Sequence, residues 1–171
     1  VSAAQVRARR DPSFAGYDTY LDDRMRAVLG ACIRQGTKII TNQGWINPDG
    51  AAQRIRYWLK ALGLPEVKVA AVNGSLITEQ VIGWTDCILE NGLPTASLND
   101  RLVSAEVYMG AEPIVQALRE GAQIVVTGRV ADPSLFLAPM MFEFGWDPLD
   151  HAKLGQGTGI GHLLECGAQV T

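Results

Sequence analysis

The sequence predicts an α/β protein, a mostly parallel sheet flanked by helices that forms an incomplete Rossmann-like domain. Three observations carry this expectation. The run Ile124-Val125-Val126 has no polar member, which suits a strand covered on both faces in a parallel sheet. Helix-ending glycines and proline-started helices punctuate the chain: Gly36, Gly63 and Gly121 on one side, Asn47-Pro48, Glu112-Pro113 and Asp132-Pro133 on the other. Finally, Arg34 to Asn42 echoes Arg119 to Gly128; each reads helix end, glycine, short strand and polar turn. Two such copies fit repeated αβ units, whose right-handed crossovers align the polar strand ends on one edge.

Taken in order, residues 1–19 read as polar and irregular around Asp11-Pro12 and Gly16. A helix follows from Tyr20 to Gln35, with Leu21, Met25, Val28, Leu29, Cys32 and Ile33 at inward spacing. Strands are expected at 38–41, 67–72, 103–108 and 123–127. Asn47 caps a helix begun by Pro48, with Ile55, Trp58, Leu59 and Leu62 inward. Between strands, Leu76 to Ile82 reads as a short helix, Asp86 to Leu89 as an apolar stretch, and Asn91-Gly92-Leu93-Pro94 as a turn. Glu112-Pro113 opens a helix through Ile114, Val115 and Leu118. Asp132 caps another that starts at Pro133 and is kinked or divided by Pro139. Gly145-Trp146-Asp147-Pro148 breaks it, the glycine-rich run 155–161 reads as a lid or anion loop, and a last helix starts at His162.

The 171 residues suit one α/β domain, and 47% hydrophobic content supplies a core. Net charge −3 with dispersed cations argues against nucleic acid as the main partner, and Arg7, Arg9 and Arg10 read as a solvated face. No apolar run approaches the roughly 20 residues needed to span a bilayer. Cys32, Cys87 and Cys166 are scattered, odd in number and without C-x-x-C spacing, which fits reduced thiols in a cytoplasmic protein. The opening at Val1 and the close at Thr171 lead us to expect a single-domain fragment of a longer protein.

Chemistry is expected at the carboxyl ends of the strands, where open α/β sheets place their ligands. The candidates there are Asn42, Asn47, Asn73, Thr127, Gly128 and Arg129, with Asp132 as a proton carrier. Amides both donate and accept, Gly128 admits close approach, and Arg129 offers a planar fork to a carboxylate or phosphate. The plainer alternative is that Asn47 and Asp132 only cap helices and Asn73-Gly74 only turns. His162, Glu165 and Cys166 share one helical face, which suits an acid/base pair, a thiol–imidazole pair or a buried thiol beside a hydrogen-bonded histidine. No complete metal site is spelled out, and Gly155 to His162 fails the dinucleotide fingerprint, so no cofactor is indicated. Trp45, Trp58, Trp84 and Trp146 read as core or pocket wall.

Three stretches resemble the acyclic terpene utilisation family: Val103-Ser104-Ala105-Glu106-Val107-Tyr108-Met109-Gly110-Ala111-Glu112-Pro113-Ile114-Val115, Thr127 to Asp132, and Gly161 to Thr171. The segment Thr41-Asn42-Gln43-Gly44-Trp45-Ile46-Asn47-Pro48 is similar to the family's Thr-Asn turn, with Trp45-Ile46 in place of smaller residues. The resemblance covers nearly the whole chain and implies a place in bacterial degradation of citronellol and geraniol through coenzyme A thioesters, near a biotin-dependent carboxylase. It implies a pathway and no catalytic residues. Two functions are therefore expected to compete: an enzyme or enzyme domain acting on a branched or terpenoid acyl-CoA or carboxylate, and a non-catalytic module partnering an acyl-CoA carboxylase.

Overall fold

A computed structural model describes residues 2–85, 88 and 90–170. Its three named strands, β1 (Ile39–Thr41), β2 (Val69–Val72) and β3 (Ile124–Thr127), form an all-parallel sheet in the order β1-β3-β2. Register sets Ile39 opposite Ile124 on one side of β3 and Val69 opposite Ile124 on the other. The strand with no polar interior is thus the central one, and all four of its residues are buried. Its side chains alternate between two cores, as period-2 geometry requires.

Ile124 and Val126 join a core with Leu21, Met25 and Leu29 of α2 (Leu21–Arg34) and Ile55 and Leu59 of α3 (Pro48–Ala61). Val125 faces the opposite core, formed with Ile114, Val115 and Leu118 of α5 (Glu112–Arg119) and Ala138 and Met141 of α6 (Ser134–Glu143). Gly36, Gly63 and Gly121 take positive φ just after their helices, as expected of helix stops. Val28 and Leu62, placed inward by spacing alone, are exposed, because the stripe that meets the sheet is narrower than the apolar pattern. Trp84 is likewise exposed.

Several expectations are corrected. Residues Ser2–Arg10 form a helix, α1, because alanine and arginine sustain one without a large apolar face. Asp132 caps nothing: α6 begins one residue later than expected, with Pro133 at its N-cap position, and runs on through Pro139. In mid-helix that proline forgoes the bond to the Leu135 carbonyl, and the helix continues past it. The apolar stretch Asp86 to Leu89 falls largely outside the described residues, while α4 (Thr78–Val81) occupies the short helix expected nearby.

Residues 103–108 are not a strand of the sheet. They form a strap across its carboxyl edge, because their backbone partners are loop residues. Leu76 and Glu106 make an isolated antiparallel bridge, and the Val107 N–H donates to the Ser75 carbonyl at 2.8 Å. Farther on, Met109 bridges Val130 and its carbonyl accepts the Ala131 N–H at 2.9 Å. The strap therefore stitches the chain after β2 to the chain after β3.

The glycine-rich run is no lid. It lies inside α7 (His151–Cys166), which starts eleven residues before the expected His162, capped by Asp150 through the Lys153 N–H. Two glycines let α7 press onto the α6 layer. A Cβ on Gly157 would lie 2.7 Å from Trp146 Cζ3 and 2.8 Å from Leu137 Cδ1, and one on Gly161 would lie 2.8 Å from the Pro133 carbonyl oxygen. Gly155 and Gly159 face open space. Gly157→Ala should therefore cost about 1–3 kcal/mol by overpacking, whereas Gly159→Ala should stabilise by up to about 1 kcal/mol through helix propensity. Chemical denaturation of the two variants reads the difference in sign; equal effects would contradict this packing.

A second tie joins α2 to α3. Arg54 Nε donates to Asp22 Oδ1 at 2.7 Å and Trp58 Nε1 to the same oxygen at 2.8 Å. The Arg54 bond foremost, with Trp58 and nearby Arg charges, holds the Asp22 carboxyl below its ordinary range. A lowered folded-state pKa stabilises above the unfolded value of about 4 and loses that effect as pH falls through the folded value. Asp22→Asn should accordingly be less stable than the parent at pH 7, with the gap closing in acid. A gap of constant size down to pH 2 would contradict the ionic origin of the tie.

Candidate functional site

Parallel strands deliver their following turns to one edge, and here three turns meet. After β1 the chain runs Asn42-Gln43-Gly44-Trp45-Ile46-Asn47; after β2, Asn73-Gly74-Ser75; after β3, Gly128-Arg129. The Gly44 N–H donates to the Thr127 carbonyl at 3.1 Å, and a Cβ there would stand 2.6 Å from that oxygen. A Cβ on Gly128 would lie 2.7 Å from Ser75 Oγ and 2.8 Å from the Trp45 carbonyl oxygen. Only glycine allows this approach. Trp45 takes φ 45°, the one left-handed non-glycine among the described residues, and so carries the backbone strain of the first turn.

The first turn is tied down from outside the sheet. Gln43 Nε2 donates to Oδ2 of the buried Asp18 at 2.7 Å, and the Asp18 N–H donates to the Gln43 carbonyl at 2.9 Å. Asn47 accepts the Gly50 N–H at Oδ1 and donates from Nδ2 to the Ala15 carbonyl at 2.8 Å. Its amide is thus a helix cap and a tie, the plainer of the two roles expected for it. Asn73 donates to Asp49 Oδ2 at 3.0 Å, and Asn42 is exposed at the start of its turn. Thr127 is fully buried, its hydroxyl donating to the Gly128 carbonyl at 3.0 Å, so it shapes the edge from inside.

Arg129 is the cation of this edge. Its backbone N–H donates to Ser75 Oγ at 3.1 Å, while its guanidinium carbon sits 4.1 Å from the centre of the Tyr108 ring. Nη1 lies 3.4 Å from Asp132 Oδ1, a long single contact between side chains 28% and 41% exposed. Such a surface pair contributes little and leaves most of the guanidinium's donors free. Two residues before Tyr108, the Glu106 Oε1 oxygen is buried without a hydrogen-bond partner among the described residues.

The last turns of α7 abut this edge through Gly161 and Pro133. Burial pushes the Cys166 thiol above its ordinary value, and the charges of Glu165 and Asp132 push the same way. The thiol contacts Glu165 Oε2 at 3.7 Å. The Asp132 and Glu165 charges thus disfavour the thiolate form of Cys166. His162 is exposed, and among the described residues no hydrogen bond joins it to Glu165 or Cys166. Among the described residues no group of three or more His, Cys, Asp or Glu side chains is placed to hold a metal, and no helix is long and apolar enough to cross a membrane.

A cleft of about 530 Å³ opens elsewhere, along the amino end of β2, lined by Arg56, Lys68, Val69 and Glu120. Its cations are engaged: Arg56 Nη2 donates to the Val69 carbonyl at 2.6 Å and Lys68 Nζ to the Glu120 carbonyl at 3.2 Å. A smaller cleft of about 280 Å³ follows the free edge of β2 up to Asn73. The carboxyl edge, with Arg129 only lightly held, is the stronger chemical candidate.

Sequence reasoning located Thr127, Gly128, Arg129 and Asp132 together but missed Ser75 and Tyr108. Ser75 follows Gly74 as Arg129 follows Gly128, a signal available in principle; Tyr108 depends on the strap and had none. Two substitutions test the junction. Gly128→Ala should destabilise by about 1–3 kcal/mol, because its Cβ meets backbone at Trp45. Ser75→Ala should cost about 1 kcal/mol by orphaning the Arg129 N–H. Thermal melts in which neither variant moves would contradict the close meeting of the turns.

The family model described as "Acyclic terpene utilisation family protein AtuA" matches residues 1–171, the whole chain. No curated protein and no solved structure matches it.

Proposed function

The chain belongs to the acyclic terpene utilisation family, and on that premise we propose that it is an enzyme or enzyme domain binding a branched, terpenoid acyl-CoA or carboxylate at the strand edge. One observation carries the proposal: Arg129 stands where three strand-end turns meet, stacked on Tyr108 and held by a single long contact to Asp132. A guanidinium so placed receives an anionic carboxylate or phosphate by charge-assisted hydrogen bonds. In this reading Asp132 and Glu165 are the groups that move protons, with His162, exposed three residues before Glu165 on α7, as the third candidate. The setting is cytoplasmic, consistent with the free thiols of Cys32 and Cys166.

A second reading, a non-catalytic module that docks on an acyl-CoA carboxylase, draws on a different observation. α7 exposes Ile160, Leu163 and Leu164 along a helix with few charges. The anion-anchor reading accounts for Arg129, which the docking reading leaves without a task.

Calorimetric titration of the full-length protein with citronellyl-CoA, citronellate and coenzyme A tests the proposal. Arg129→Ala should weaken binding of the anion by roughly ten- to more than a hundredfold, the loss of about 1.5–3 kcal/mol from a charge-assisted contact. Arg129→Lys should restore only part, since a point charge lacks the planar fork. Because the Arg129 side chain is partly exposed and weakly paired, its melting temperature should hold. A lowered melting temperature with unchanged affinity would make Arg129 a structural tie and overturn the proposal.

A further inference from the structure

We infer that Tyr108 is the positioning residue of this anion site, its ring acting as the platform that keeps the Arg129 guanidinium in one orientation while the in-plane donors stay free for ligand. The inference rests on the anion-anchor reading above and assigns a task to a residue that reading does not use.

The geometry argues it in three steps. Tyr108 is 63% exposed, so burial does not account for its position. What holds it is backbone: the strap is fixed on one side by the Val107 N–H to the Ser75 carbonyl, and on the other by the Ala131 N–H to the Met109 carbonyl and the Met109–Val130 bridge. These bonds bracket Tyr108 and place it against Arg129, whose own backbone N–H returns to the same Ser75. Both partners of the stack are thus hung from one residue of the turn after β2.

The second step concerns what else could orient the guanidinium. Arginine has a long, freely rotating stem, and its only carboxylate contact among the described residues is the single 3.4 Å approach to Asp132. That contact leaves the plane of the fork undetermined. A ring whose centre lies 4.1 Å from the guanidinium carbon closes off one side of the fork and restricts how it can turn.

The third step is chemical. Stacking uses the face of the guanidinium, and its N–H donors lie in its plane, so the platform and an anion do not compete. The Tyr108 hydroxyl makes no hydrogen bond among the described residues, so the ring alone performs the task. The anion chemistry served is shared by a free carboxylate and by the phosphates of coenzyme A.

Two measurements on the full-length protein test this. In ligand-free protein, the rate at which phenylglyoxal modifies Arg129, followed by peptide mass spectrometry, should rise at least about twofold in Tyr108→Ala and stay at the parent value in Tyr108→Phe. In titrations with citronellyl-CoA, Tyr108→Ala should weaken binding about two- to fivefold, Tyr108→Phe should bind as the parent does, and all three proteins should melt together. Parallel titrations with citronellate and coenzyme A alone tell which anion seats on the fork. Equal modification rates in all three proteins, or a Phe variant as impaired as Ala, would overturn the inference. The two levels separate cleanly: if Arg129→Ala weakens binding and Tyr108→Ala does not, the platform fails and the anion site stands. If Arg129→Ala changes nothing, or citronellyl-CoA does not bind the parent, the anion-anchor reading fails, while the modification rates still decide whether Tyr108 holds the guanidinium.

Discussion

The backbone of the turn after β1 lies against the backbone that follows β3, and the rest of the edge depends on that contact. Gly44 reaches the Thr127 carbonyl, and Gly128 fits between the Trp45 carbonyl and Ser75 Oγ. No side chain fits at either point, so the distance between β1 and β3 at their carboxyl ends is set by main chain, and the turn after β2 closes on it through Ser75 Oγ. Parallel pairing makes this possible, since it sends all three strands toward the same edge. The strain of Trp45 and the buried Asp18–Gln43 pair both serve to keep the first turn in that contact.

From this junction follow the features that give the edge its chemistry. Thr127 is sealed inside and its hydroxyl turns back on the main chain, so the last residue of the central strand is rigid. Arg129, two residues on, emerges from a fixed point, pinned through its N–H to Ser75. The strap then lays Tyr108 beneath the guanidinium, and the last turns of α7, where the Cys166 thiol touches the Glu165 carboxylate, pack against Pro133 because Gly161 gives way to its carbonyl. Each step uses a glycine or a backbone bond to bring one charged side chain to the rim of a packed layer. The hydrophobic cores on the two sheet faces supply the rigidity against which that arrangement is held.

How much of this was legible in the sequence varies with range. The parallel sheet could be read because Ile124 to Val126 lack a polar residue, and a central parallel strand is the place where such a run belongs. The Asn47-Pro48 helix start and the glycine stops were equally legible, being local signals with local causes. Residues 103–108 were misread because apolar alternation specifies an extended chain and not its partner. Ser75 and Val130, which capture the strap, lie 28 and 27 residues from its first residue in sequence. The glycine run 155–161 was misread for the opposite reason: glycine disfavours a helix locally, and only close packing on Trp146, Leu137 and Pro133 explains Gly157 and Gly161 in one. Among candidate site residues, Arg129 and Asp132 could be placed together from their spacing. Asn47 and Asn73 could not be told from ties, because their partners Ala15 and Asp49 belong to other segments.

We propose the carboxyl edge around Gly128 and Arg129 as the place where an anionic acyl ligand binds. Hydrogen–deuterium exchange of the full-length protein, with and without citronellyl-CoA, reads that edge segment by segment. Ligand should slow exchange in peptides covering 42–47, 73–76, 105–110 and 127–132, the three turns and the strap, with little change along the amino end of β2. Protection confined to the cleft of Arg56, Lys68 and Glu120, or absent from the three turns at saturating ligand, would contradict it.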